Sequence, residues 1–230
     1  MIAGGWFALH SRIFSARVVT VAGSTHTPYR QVVRAAGLEG APPLVDVGAG
    51  AAAGVDRLPW VSSAHVAREW PDGVRIDVVE RTPAAAVAER GRRGTGRAWA
   101  VVDRSGRVLE IASKVPAGLV VVSGQGRAGV PGSTVAADHS ALGVAASLPK
   151  AFSSQVTRVV EDAQGQVTMH LESPVEVDLG PANRLRQKYE DVSAILAGAQ
   201  LAPGDVIDVS APGAPVVESP DAAGTRSPGA

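Results

Sequence analysis

An α+β protein in two parts is predicted from three features of the sequence. Residues 13–83 read in the order β-α-α-β-β. Residues 84–211 read as a mostly antiparallel β domain with two helices, because short apolar runs alternate with Gly- and Asp-containing turns. Residues 212–230 are Pro, Gly, Ala and Ser in the main, too poor in apolar side chains to order themselves.

The first module opens with Val18, Val19 and Val21, a β-rich run that ends at Gly23-Ser24. Thr27 followed by Pro28 reads as an N-cap with proline at the first helical position. The helix continues from Tyr29 to Ala36, with Tyr29, Val32, Val33 and Ala36 on one face, and Gly37 is its C-cap. A loop rich in Pro and Gly follows, and then a second short helix, Ala51 to Leu58, stopped by Pro59. Ala64, Val66 and Trp70, then Val74, Ile76 and Val78, occupy even positions on either side of the turn Pro71-Asp72-Gly73. That is a β-hairpin with one apolar face and one face carrying His65, Glu69, Arg75 and Asp77. Trp60 and Trp70 are expected to pack into the core of this module.

In the second part, strands are predicted over Ala84–Glu89, Trp99–Val102, Val108–Ile111 and Leu119–Val122, with Asp103-Arg104-Ser105-Gly106 as a turn. Asp138–Leu148 reads as a helix ended by Pro149. Val156–Val160 and Val167–Leu171 form a hairpin across Asp162–Gly165, and Val175, Val177 and Leu179 alternate once more. Asn183–Ala197 is a helix with Leu185, Tyr189, Val192 and Leu196 on one stripe. Val206–Val209 is the last predicted strand.

Composition narrows the function classes. The chain is 45% hydrophobic but only 4% aromatic, so its core is built of Val, Ala and Leu. With 22 basic and 22 acidic residues it has no net charge, which argues against a nucleic-acid partner. It has no cysteine, so disulfides, thiol nucleophiles and Cys-based metal sites are excluded. The apolar run from Met1 ends after Leu9, well short of the roughly 20 residues a spanning helix requires.

The sequence of these signals resembles one family. Leu58-Pro59-Trp60-Val61, Ala64-His65-Val66, Trp70-Pro71-Asp72-Gly73 and Val79-Glu80-Arg81-Thr82-Pro83 resemble the POTRA domain of FtsQ/DivIB bacterial cell-division proteins, with Phe14–Gly23 similar to its first strand. Trp99–Val108 resembles the start of that family's β domain. Val177-Asp178-Leu179-Gly180, the helix with Lys188, and Val206-Ile207-Asp208-Val209 resemble its end. Each motif is common alone; their order and spacing over about residues 13–211 carry the specificity.

The resemblance implies a POTRA domain at 13–83, a β domain at 84–211, a disordered tail at 212–230 and, at 1–12, the remnant of a transmembrane helix that is largely missing here. It implies a single-pass protein of the cell membrane with its main domains outside, at the division septum. It further implies a non-enzymatic scaffold of the divisome, binding FtsB-like and FtsL-like proteins and linking early and late division components, with no cofactor. Val206–Ser210, a short strand beside the tail, is expected at a sheet edge, where unpaired N–H and C=O groups can take up a partner strand. The resemblance assigns partner binding to Val206, Ile207, Asp208, Val209 and Ser210, with Lys188 and Tyr189 as side-chain anchors. Proline at Ile207 is then expected to abolish binding and leave the fold intact. A POTRA-bearing component of polypeptide transport or envelope assembly is the alternative, but that class carries repeated units and a long barrel, and one unit is readable here.

Other motifs carry less. Gly124–Gly129 matches G-x-G-x-x-G, but Val130-Pro131-Gly132 follows where a phosphate-binding helix would have to begin. Arg90, Arg92, Arg93 and Arg97 have no aromatic residue between them to stack bases and read as a solvated loop. None of the five histidines has metal-ligand spacing, and Asp138-His139-Ser140 are neighbours on a helix, which point apart and form no triad. An envelope hydrolase would require a convergent cluster that is not readable.

Overall fold

The computed structural model describes residues 12–89, 98–124, 128–135, 138–150 and 152–219. The 1–11 run, the Arg90–Arg97 loop and the end of the tail lie outside them, as do three residues of the Gly124–Gly129 motif. The chain divides into two compact units between Thr82 and Pro83.

The first unit is β1 (Val18–Ala22), α1 (Tyr29–Ala35), α2 (Ala49–Asp56), β2 (Val61–Glu69) and β3 (Gly73–Glu80). Its sheet order is β1-β3-β2, with β1 parallel to β3 and β2 antiparallel to it. Ala64 lies opposite Val78 and Val66 opposite Ile76, the register that the even-position pattern predicts. Val74, Ile76 and Val78 are buried against Val32, Leu44, Val55 and Val61. The two helices meet closely at Gly54, where a Cβ would fall on the Ala35 carbonyl oxygen. Gly37, at φ +71°, closes α1 with its own N–H and that of Leu38 turned back to Arg34 and Val33.

Three expectations for this unit are corrected. Thr27 does not cap α1: the residue before the helix is Pro28, and the buried Thr27 hydroxyl has no hydrogen-bond partner among the described residues. Tyr29 turns away from the core and donates its hydroxyl to the Val19 carbonyl at 3.0 Å. Trp70 is 51% exposed, because the hairpin ends before it and Arg68 takes the last core-side position, opposite Val74. Arg68 satisfies itself there by donating to the Val47 carbonyl at 2.6 Å.

The β3 end is tied to the loop before α1 by one carboxylate. Glu80 accepts the backbone N–H groups of Thr25, His26 and Thr27 at 3.0, 2.8 and 3.0 Å, and the His26 ring nitrogen at 2.9 Å. The His26 ring is stacked on Trp60 at 4.1 Å. Burial by itself raises the Glu80 pKa, but the His26 and backbone hydrogen bonds outweigh it and hold the group below its ordinary 4.5. This contribution to stability is therefore whole at neutral pH and is lost as pH falls below 4.5 through the folded value. Glu80→Gln should destabilise the unit by about 1–2 kcal/mol at pH 7. Amide exchange at Thr25–Thr27 should quicken accordingly, with the difference from wild type vanishing in acid.

The second unit is β4 (Pro83–Glu89), β5 (Ala98–Asp103), β6 (Val108–Ala112), β7 (Val120–Ser123), α3 (His139–Ser147), β8 (Val156–Glu161), β9 (Gln166–Leu171), β10 (Glu176–Pro181), α4 (Leu185–Gly198), β11 (Val206–Asp208) and β12 (Val216–Glu218). They form one sheet in the order β12-β11-β10-β9-β8-β7-β4-β5-β6. Most neighbours are antiparallel; β4–β7, β7–β8 and β10–β11 are parallel. The turns follow local chemistry. Asp103 accepts from Ser105 and Arg107 in the first, and Asp162 accepts from Gln164 and Gln166 in the second. The core joins strand residues such as Val122, Val159, Met169, Val177 and Ile207 to Leu142, Val144, Tyr189 and Val192 of the helices.

Two further expectations are corrected here. The tail is not structureless from Pro212: Val216–Glu218 pairs with β11. In consequence Val206–Ser210 is not the edge of the sheet. β11 has a neighbour on each side, β10 in parallel and β12 in antiparallel register.

Candidate partner-binding end of the β domain

The strand pair β10–β11 is set by side chains from three elements. In β11, Ile207 is fully buried, as is Val209 just beyond it, while Val206 and Asp208 are half-buried and Ser210 is exposed. The alternation places one face of the strand in the core and fixes its register, Val206 opposite Glu176 and Asp208 opposite Asp178. β10 bulges between Asp178 and Gly180. Gly180 sits at φ +59°, and a Cβ there would come within 2.8 Å of the Ser210 side chain, so the bulge requires glycine.

Lys188 secures this bulge from below. It is completely buried on α4, and its ammonium donates to the Leu179 carbonyl at 2.5 Å and the Pro181 carbonyl at 2.8 Å. Burial lowers its pKa from the ordinary lysine value, against the opposing pull of the Asp178 and Asp208 carboxylates. Tyr189 also points inward. Its hydroxyl lies 3.0 Å from that of Ser147 and donates to the Val144 carbonyl at 3.2 Å, and its ring meets Phe152 edge-on. Lys188 and Tyr189 are the expected side-chain anchors, and the polar end of each is bonded inside the unit. Tyr189 does help to line a cleft of about 600 Å³ with Leu185, Pro149 and Ser193.

β12 was not legible in the sequence. It pairs Val216, Val217 and Glu218 with Asp208, Ile207 and Val206. All three of its side chains are exposed, and none joins the core. Its fixings are local: Ser219 donates to Asp205 at 2.6 Å, and the Gly213 N–H donates to Asp191 at 2.9 Å. The Ser219 hydroxyl, followed by the Ala202 N–H, holds the Asp205 carboxyl below the usual range. Among the described residues no group of three or more His, Asp or Glu side chains could hold a metal, and no helix is long and apolar enough to cross a membrane.

A three-stranded β-α-α-β-β unit followed by a nine-stranded mixed sheet with two helices defines a POTRA-bearing, two-part protein. The family model described as "POTRA domain, FtsQ-type" matches residues 14–81, and that described as "Cell division protein FtsQ/DivIB, C-terminal" matches residues 92–210. The second match spans more than half of the chain, and the chain belongs to the FtsQ/DivIB family of cell-division proteins. The "Cell division protein FtsQ" of Mycolicibacterium smegmatis is 30% identical over 218 residues, which cover 94% of this chain and 61% of that protein. Its namesake in Mycobacteroides abscessus is 28% identical over 214 residues, 90% and 62% respectively. That of Streptomyces collinus is 28% identical over 227 residues, 94% and 83%. The chain spans about three fifths of the length of the first two relatives.

Proposed function

We propose that the chain is a non-enzymatic scaffold of the divisome. It is held at the membrane with both units outside, and takes up an extended segment of an FtsB-type partner at the β11 end of the nine-stranded sheet. It binds an FtsL-type protein as well. The observation that carries the reading is the pairing at this end: β11 is anchored through Ile207 and Val209, yet its outer neighbour β12 is three residues long and contributes nothing to the core. A partner strand replaces β12 on Val206–Ser210 and gains the same backbone hydrogen bonds. Lys188 serves binding by holding the β10 bulge against β11. Tyr189 serves it as part of the wall of the cleft, where a partner side chain docks.

The cysteine-free background makes a direct test possible. Val206 and Glu218 lie opposite each other, at a separation that a disulfide spans. Val206→Cys with Glu218→Cys, oxidised, should abolish capture of an FtsB-type segment, and reduction should restore it. Undiminished capture by the oxidised protein would show that the partner does not replace β12. A fluorescent fusion of the full-length protein should collect at mid-cell; even distribution around the cell would count against the divisome role.

A further inference from the structure

We propose that one end of the first unit, formed by Ile13, Phe14, Val18 and Trp70, is a contact surface for the boundary between headgroups and acyl chains of a lipid bilayer. Ile13, Val18 and Trp70 are 67%, 56% and 51% exposed, although all three are large apolar side chains. One ring contact and two backbone hydrogen bonds bring the segments that carry them to the same end of the unit. Phe14 meets Trp70 edge-on at 5.7 Å. The Arg17 and Val18 N–H groups both donate to the Asp72 carbonyl, at 2.9 and 3.0 Å, which clamps the start of β1 to the turn that carries Trp70. The patch is therefore held by backbone, and clustered apolar exposure of this kind marks an interaction surface.

The occupant follows from what precedes the patch. The sequence from Ile2 to Leu9 carries no charge and only apolar residues or glycine, and Leu9 is four residues before Ile13. Four residues reach at most about 14 Å. If that run lies in a bilayer, the patch stands at its surface, where tryptophan is favoured because its ring is apolar and its N–H remains wet. The inference thus rests on the reading of the chain as membrane-attached. Charge identifies which part of the lipid is met. In sequence Arg12 and Arg17 flank Ile13 and Phe14 while Glu69 and Asp72 flank Trp70, so the surroundings are of mixed sign, and the contact is apolar rather than an attraction to anionic headgroups.

The test separates the patch from the attachment. The full chain, tethered by an N-terminal hexahistidine tag to phosphatidylcholine vesicles containing a nickel-chelating lipid, is compared with and without brominated acyl chains. All variants carry Trp6→Phe, because Trp6 belongs to the run placed in the bilayer and would be quenched with or without the patch; in this background bromine should quench part of the emission of the otherwise wild-type chain. That part should be missing in Trp70→Phe and retained in Trp99→Phe. A tryptophan moved to the opposite end of β3 (Val79→Trp in the Trp70→Phe background) reports the quenching due to tethering alone and should show less. Equal quenching of wild type and Trp70→Phe overturns the proposal, as it would if residues 2–9 or a second copy covered the patch instead. In the untethered chain, Trp70→Ser should weaken partitioning onto pure phosphatidylcholine about tenfold at any salt concentration, and Val79→Ser should leave it unchanged. Equal effects of the two serine variants also overturn the proposal. An untethered wild type that stays in solution, while tethered Trp70 is quenched, leaves the patch standing and shows that residues 2–9 by themselves do not hold this chain to a bilayer.

Discussion

Ile207→Ala should destabilise the β domain by about 3–4 kcal/mol, the cost of emptying a fully buried aliphatic site. Val217→Ala, on the neighbouring strand and directly opposite, should cost under about 0.5 kcal/mol, because a surface residue outside the core loses little packing on truncation. The contrast follows from the two sides of one strand pair. Ile207 contributes to the core of the domain, whereas Val217 is exposed and no part of that core. Denaturant unfolding followed by a probe in the β domain reads both. A proline at Ile207, which an edge position would tolerate, is expected to unfold the domain and so cannot serve as a clean test of binding. If Val217→Ala proves as costly as Ile207→Ala, β12 is an integral strand, and its replacement by a partner is untenable.

Lys188→Met should destabilise the same domain by about 3 kcal/mol. Methionine fills much of the space but donates nothing, so the Leu179 and Pro181 carbonyls lose a charged donor in a site closed to water. The loss falls on the β10 bulge, which positions β11 through the Asp178 carbonyl and the Val209 N–H at 2.9 Å. Capture of the partner should weaken by more than the fall in folded population explains. Measuring affinity well below the unfolding midpoint separates the two effects. Unchanged stability would mean that the carbonyls find other donors and that Lys188 is dispensable.

Lys188 also shows where sequence reading falls short. It stands three residues after Leu185 and four before Val192, on the stripe that carries Tyr189, so its position on the inward face is visible in the spacing. Its chemistry argues the other way, since lysine is almost never fully buried unless paired. The partners that make its burial tolerable are two backbone carbonyls on β10, and no feature of α4 announces them.

Element order, the POTRA module and the strand series of the β domain were determined by the sequence itself. Their signals are local: period-two alternation around Pro71-Asp72-Gly73, Asx turns at Asp103 and Asp162, and glycine where α1 ends. Only the tertiary structure decided which strand ends the sheet, which charged group is buried and which tryptophan is exposed. These depend on neighbours that are distant in sequence or unmarked by any local signal. Three exposed residues in a Pro- and Gly-rich tail become a strand because β11 offers an open ladder. Trp70 leaves the core because Arg68 occupies the last inward position of its strand. Periodicity reports what a segment does alone; pairing and burial are properties of two segments at once, and so become visible only when the chain has folded.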